Sequence, residues 1–199
     1  MKAVQFYFDF TSPYSYIASR RIDEIAQRHG RAVEWHPILL GAVFKITGMK
    51  PLLDMPMMGD YTRNDIARSA REHHIPLRMP SEFPVSTVTA ARAVCWAKEN
   101  APDAVNALVH GLFTAYFEQD KNISALEAVR EVAHSAGIDP ESVSNGVQDP
   151  QIKAALKDAV DHAIALNIFG APWVIVDGES FWGNDRLHLV DKWLETGGW

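Results

Sequence analysis

Segments that read as β-strands lie only toward the two ends of this chain, and the long stretch between them reads as helices and irregular connections. A sheet has to bury at least one face against another layer, so the two ends share one sheet and the middle folds over it. At the first end, the β-branched and aromatic run from Val4 to Phe10 stops at Thr11-Ser12-Pro13. Tyr16, Ile17, Ile22, Ile25 and Ala26 then recur at helical spacing as far as Gly30, and Ala32 to Pro37 reads as a second strand. A strand, a helix and a strand this close in sequence make a β-α-β unit with a parallel pair. At the other end, Trp173 to Val176, the turn dipeptide Asp177-Gly178 and Glu179 to Trp182 read as a hairpin. A final helix is opened by Asn184-Asp185 and runs to about Leu194.

The middle divides into helical stretches at Asp60 to His74, Thr87 to Asn100, Ala104 to Gln119, Ser124 to Ala136 and Gln151 to Leu166. Ser124 with Glu127 three residues on matches a capping box, and Asp149-Pro150 matches an N-cap followed by its N1 proline. Leu39 to Pro56, with Gly41, Gly48, Pro51 and Pro56, suits an irregular loop or short helical turns. The expected organisation is therefore an α/β unit from residues 1–38 and 168–199, interrupted by a loop plus helical insertion at 39–167.

Several function classes fall away on composition. The only cysteine, Cys95, leaves no intramolecular disulfide, no Cys-x-x-Cys pair and no thiolate zinc knuckle. The 19 Lys and Arg stand against 25 Asp and Glu for a net charge of −6, with no basic cluster to meet a phosphate backbone, so nucleic acid is not an expected partner. No glycine-rich phosphate loop is present, which removes ATP and NAD. Of the eight histidines only His73-His74 are adjacent; helical neighbours point about 100° apart, so no metal is expected. No window reaches the ~20 apolar residues of a membrane span. Gln5 and Asp9 break the N-terminal apolar run below signal-peptide length, so a cytoplasmic location is expected.

Three places sit where open α/β sheets hold ligands, at strand ends. Ser12 lies between the first strand and the first helix. Free amides and the positive end of the helix dipole favour an anion there, and the hydroxyl adds a donor, although taken alone the position is more simply a plain N-cap with Pro13 at N1. Gly170-Ala171-Pro172 precedes a strand, where proline is permitted and a trans bond is the general rule. Gly183-Asn184-Asp185 leads from a strand into a helix, with glycine for close approach and Asn184 as a cap. Trp35, Phe44, Phe83 and Trp182 suit either an aromatic pocket or ordinary core.

The chain resembles the 2-hydroxychromene-2-carboxylate isomerases and the kappa-class glutathione transferases, within the DsbA-like proteins of thioredoxin-like fold. The resemblance runs through Phe8-Asp9-Phe10-Thr11-Ser12-Pro13-Tyr14-Ser15-Tyr16, Leu40-Gly41-Ala42-Val43-Phe44-Lys45-Ile46-Thr47-Gly48, Ile75-Pro76-Leu77 with Met79-Pro80, Phe169-Gly170-Ala171-Pro172 and Phe181-Trp182-Gly183-Asn184-Asp185-Arg186-Leu187. Ser12-Pro13-Tyr14-Ser15 then stands where the oxidoreductases of this fold keep Cys-x-x-Cys, with serine at both cysteine positions. The family loop usually continues Thr-Gly-Asn, whereas here Met49 follows Thr47-Gly48.

The resemblance implies reduced glutathione as cofactor. Ser12 would stabilise its thiolate, Pro172 would be a cis-proline, and Ala171 would pair with the cysteinyl backbone. Gly183, Asn184 and Asp185 would hold the γ-glutamyl end, with Lys45 on a substrate carboxylate; from the aromatic residues themselves, Phe83 is the candidate to line the substrate pocket. The implied reaction is a thiol-assisted cis-trans isomerisation of 2-hydroxychromene-2-carboxylate or a related bicyclic hemiketal to trans-o-hydroxybenzylidenepyruvate, a small aromatic substrate of hydrocarbon catabolism such as naphthalene degradation. The family also implies a homodimer. Two alternatives stay open: a kappa-like transferase that releases the conjugate, and a non-catalytic thioredoxin-fold binding protein.

Overall fold

The first strand, β1 (Val4–Phe8), is nearly all apolar because both of its faces are covered. The computed structural model, which describes residues 2–199, places it inside a four-stranded sheet of order β2-β1-β3-β4. β2 (Val33–Pro37) runs parallel to β1, in register from Val4 opposite Val33 to Phe8 opposite Pro37. β3 (Trp173–Val176) and β4 (Glu179–Trp182) are antiparallel to their neighbours. The two chain ends thus meet at the β1–β3 pair, as the distribution of strand-forming residues requires. Asp177 and Gly178 both take positive φ (52° and 97°), the tight hairpin turn that their dipeptide signals.

Alternation along β1 divides the core. Phe6 and Phe8 face the inserted helices, where the Phe8 and Phe10 rings lie 5.6 and 4.8 Å from Phe113, and Trp35 packs edge-on to Phe6 at 5.1 Å. Tyr7 faces the other way, into a smaller cluster with Ile38, Ala163, Ile168 and Trp173. The helix α1 (Pro13–Arg28) follows β1 and buries Tyr16, Ile17, Ile22, Ile25 and Ala26, the residues whose spacing marks it in the sequence. Then come α2 (Leu40–Thr47), α3 (Met58–Glu72), α4 (Val88–Asn100), α5 (Val105–Phe117), α6 (Leu126–Ser135), α7 (Pro140–Gly146) and α8 (Pro150–Ala165) before the chain returns to β3. The last helix is α9 (Leu187–Thr196).

Four sequence expectations need correction. The segment expected to be an irregular loop or short helical turns holds a regular eight-residue helix, α2, which ends at Gly48 in the left-handed conformation (φ 71°) that glycine supplies without strain. The capping box at Ser124 does not form: Asn122 Oδ1 takes both the amide and the hydroxyl of Ser124 at 2.9 and 2.6 Å, and α6 starts later, at Leu126. A short helix, α7, was not anticipated, yet it has its own signal in Asp139-Pro140, with Asp139 accepting from the Ser142 amide at 2.8 Å. Asn184 does not cap the last helix; it begins a 3₁₀ turn, Asn184–Arg186, and α9 follows at Leu187. The Asp149 cap is present, accepting from the Gln151 amide at 2.7 Å.

His36 lies across the parallel pair from Tyr7, with the two rings stacked at 4.5 Å. Burial, with Lys98 and His162 nearby, holds its imidazole down to about 4, against the opposing pull of Glu34. The unfolded chain therefore binds the extra proton between about pH 6.5 and 4, and stability falls as pH drops through that window. We expect about 2–3 kcal/mol of folding stability to be lost there. A His36→Phe variant, which keeps a flat ring on Tyr7, should flatten that part of the curve in denaturant titrations at pH 7, 5.5 and 4; an unchanged slope would remove His36 as its source.

Candidate active site

Ser12 ends the turn after β1 and is 6% exposed. Its backbone is extended (φ −87°, ψ 111°), Pro13 occupies the first helical position, and its Oγ accepts from the Ser15 amide at 3.0 Å. The ordinary cap is therefore real, but the hydroxyl does more. It donates across the sheet end to Ala171 O at 3.2 Å, joining two segments 159 residues apart. The Ala171-Pro172 bond is cis, against the general preference for trans. A hydroxyl has one proton. An anion at the start of α1 would draw that proton from the neutral carbonyl, because a charge-assisted hydrogen bond is about twice as strong.

The third motif joins the same place through the backbone: the Gly183 amide donates to Pro172 O at 3.0 Å. Gly183 has φ 107° and ψ 152°, a conformation open to glycine, and an added Cβ would lie 2.4 Å from Asp185 Oδ1. Gly170 is constrained by space, since a Cβ there would lie 2.6 Å from Trp182 Nε1. Asn184 is buried, and its carbonyl accepts from Arg21 of α1 at 3.4 Å. Asp185 stands at the rim with an exposed carboxylate, 2.6 Å from Arg186 Nη1. An exposed pair of this kind contributes little on its own, so the carboxylate remains available to another cation. Ser12, Ala171, Pro172, Gly183, Asn184 and Asp185 are thus one contiguous group.

Lys45 and Phe83 are placed differently. Lys45 is exposed in the last turn of α2 and forms no ion pair among the described residues. Beyond it, Gly48, Met49, Lys50, Leu52, Asp54, Met55, Pro56 and Met58 line an open hollow of about 580 Å³. Phe83 is half-buried against the main core and stacks on Tyr116 at 6.3 Å, and the Phe83-Pro84 bond that follows it is cis. Trp35 is core, Phe44 is half-buried, and Trp182 is 46% exposed and packs edge-on to Phe169 at 4.7 Å, so these four aromatics do not form one pocket.

Two residues of this region escaped the sequence reading. Tyr14 Oη donates to Asp65 Oδ2 at 2.7 Å, tying the first turn of α1 to α3; burial and the Asp65 carboxylate drive its phenol well above the usual range. Asp9, 3% exposed, accepts from Thr11 N at 2.9 Å, Thr87 Oγ1 at 3.0 Å and Leu40 N at 2.7 Å. Burial pushes its carboxyl upward, and these three donors pull it back. Its signal in the sequence is an acidic residue closing an otherwise apolar strand.

The model of the DSBA-like thioredoxin domain matches residues 3–195. The chain belongs to that family. Among DSBA-like proteins it is 28% identical over 202 residues to the 2-hydroxychromene-2-carboxylate isomerase of Sphingobium xenophagum, covering 97% of this chain and 98% of the relative. It is also 28% identical over 204 residues to glutathione S-transferase kappa 1 of Caenorhabditis elegans, covering 96% and 90%. A solved 2-hydroxychromene-2-carboxylate isomerase superimposes with a TM-score of 0.86 at 26% identity, over 97% of this chain and 94% of that one. The DSBA-like fold is thus shared from end to end, with Ser12 and Ser15 at the start of the first helix and the cis-proline facing it.

A Gly183→Ala substitution should cost about 1–3 kcal/mol, because the positive φ is strained for any residue with a Cβ. The loss should persist in the Gly183→Ala/Asp185→Ala double variant, since the Asp185 carboxylate is only the end of a movable side chain. Urea unfolding of the two proteins checks this, and full recovery in the double variant would show that contact, not backbone strain, sets the cost.

Proposed function

We propose that this protein is a glutathione-dependent cis-trans isomerase of 2-hydroxychromene-2-carboxylate or a related bicyclic hemiketal of aromatic catabolism. The observation that carries the reading is the hydrogen bond from Ser12 Oγ to Ala171 O, which brings a helix N-terminus, a cis-proline loop and the Gly183-Asp185 turn to one point. The names of relatives at 28% identity support it.

The residues fit a γ-glutamyl tripeptide. The exposed Asp185 carboxylate suits an ammonium, and Gly183 lets that carboxylate lie close over the backbone, where a Cβ would stand 2.4 Å from its Oδ1. Ala171 lies at the mouth of the loop, where a peptide can pair with it as with a strand edge. Bound glutathione would supply the thiol nucleophile, which the chain lacks: Cys95 is buried, and its thiol is pushed up to about 11. The Ser12 hydroxyl turns its proton to the sulfur and, with the dipole of α1, favours the thiolate. Lys45 takes the substrate carboxylate, and the hollow beyond it, with Met49, Met55 and Met58, accepts an apolar ring. Phe83 lends an aromatic wall from the core side. The enzyme is cytoplasmic and homodimeric in this reading, with residues 1–38 and 168–199 as one unit and 39–167 as an insertion.

A second reading, a kappa-like transferase, uses the same thiolate and differs in releasing a conjugate; the equally similar kappa relative favours it. The product distinguishes them, since an isomerase returns glutathione unchanged.

Calorimetric titration with reduced glutathione tests the proposal. Saturable binding is expected, weakened at least about tenfold in Asp185→Ala, the equivalent of about 1.4 kcal/mol. Ser12→Ala should keep most of the affinity and lose about 10²-fold in kcat, the usual cost of removing one donor to a developing anion. Absence of binding at millimolar glutathione overturns the reading and favours a non-catalytic binding protein; wild-type turnover in Ser12→Ala overturns the assignment of Ser12.

A further inference from the structure

The helix that carries Lys45 is not capped by its own sequence. Its N-cap residue is Leu39, which has no side-chain acceptor, and no side-chain bond closes that end from within the segment. The first amides of a helix lack partners inside it. Here the first of them, Leu40 N, is met at 2.7 Å by Asp9 Oδ2, from the far end of β1. The other carboxylate oxygen, Oδ1, accepts from Thr11 N and from the hydroxyl of Thr87, the residue that opens α4. The backbone of Asp9 is engaged as well, with Asp9 O accepting from Ser12 N at 2.9 Å. One buried carboxylate therefore spans the Ser12 turn, the start of α2 and the start of α4.

We propose that Asp9 is the positioning residue that registers α2, and Lys45 with it, against the Ser12 turn. The inference deepens the function proposed above and rests on it only for the role of Lys45. The division of labour between the two oxygens gives it content. Oδ1 shapes the turn that presents Ser12, as an aspartate side chain does when it accepts from the amide two residues on. Oδ2 acts across the fold as the missing N-cap of an eight-residue helix. A helix of two turns has little stability by itself, so its direction follows whatever holds its first turn. An Asp9→Asn substitution separates the two tasks. The amide oxygen still accepts from Thr11 and Thr87, whereas the NH₂ group faces the Leu40 N–H and leaves two donors opposed.

Amide hydrogen exchange on the whole protein, read by mass spectrometry and NMR, is the first measurement. In the wild-type chain the Leu40 amide should exchange at least about tenfold slower than an unstructured amide, although it is the first of its helix. In Asp9→Asn the amides of α2 should lose at least about tenfold protection while those of α1 keep theirs. Thr87→Val, which removes a donor only from Oδ1, should leave α2 protected. Calorimetry and kinetics form the second measurement. Asp9→Asn should bind glutathione within about twofold of wild type, yet raise the KM for a carboxylated substrate about tenfold. Its preference for that substrate over a carboxylate-free electrophile should fall by the same factor, and adding Lys45→Ala should make nothing worse.

Fast exchange of Leu40 in the wild type overturns the proposal even if Asp9→Asn does not fold. So does equal loss of glutathione and substrate binding, which would mean that Asp9 serves the Ser12 turn alone. Failure of the wild type to bind glutathione removes the proposed function but leaves the exchange results to decide the role of Asp9.

Discussion

Everything in this molecule hangs on β1 and the turn that closes it. β1 is paired on both sides and covered on both faces, so its five residues fix the sheet order, the two cores and the level at which the chain can turn. The turn comes at Asp9, where a carboxylate is accepted into the interior because three donors meet it there. Burying a carboxylate without such partners would cost several kcal/mol, so the donors and the carboxylate are conditions of each other. Ser12 inherits its place from that arrangement: its amide is held by Asp9 O, and its hydroxyl reaches the strand-end loop brought in by the β1–β3 pairing.

The sheet, the order of its elements and the helix after β1 were legible because they rest on local patterns with strong physical causes. The double burial of β1 writes itself as a run that is apolar except at Gln5, and the inward face of α1 as Tyr16, Ile17, Ile22, Ile25 and Ala26. Asp177-Gly178 and Asp149-Pro150 name their own turn and cap. What stayed illegible rests on long-range partners. α2 is capped by a residue outside its segment, so a sequence window over Leu39 to Thr47 contains glycine and no cap, and reads as irregular loop or short helical turns instead of a regular helix. Ser124 failed for the opposite reason, since a competing acceptor two residues upstream captured it.

The candidate site shows the same division. The residues that act through backbone and turn chemistry, namely Ser12, Pro172 and Gly183, come together, and Asn184 follows them as the start of a 3₁₀ turn instead of a helix cap. Lys45 was drawn from the resemblance and Phe83 from the scatter of aromatic residues: one is exposed on α2, the other packs on Tyr116. Trp35 illustrates why aromatic residues are weak pointers to a pocket. Its ring is needed between Phe6 and Phe8, and a sheet face of this size consumes most of the aromatic residues available.

Serine in place of cysteine decides what chemistry this scaffold can carry. A serine hydroxyl at a helix N-terminus remains protonated at neutral pH, and the dipole that makes a neighbouring thiol acidic does not bring an alcohol within reach. Ser12 is therefore placed as a hydrogen-bond donor, and among the described residues no base bonds to it to make it a nucleophile: its hydroxyl is engaged by the Ser15 amide and a carbonyl. The same fold geometry that lowers a thiol pKa in a redox protein here leaves a prepared anion site with no thiol of its own. In the proposed reading, the cis-proline, the constrained Gly183 and the exposed Asp185 around that helix start would receive a peptide thiol, and no cysteine stands there to exchange with it. That asymmetry, more than the fold, is what favours a borrowed thiol over a redox role.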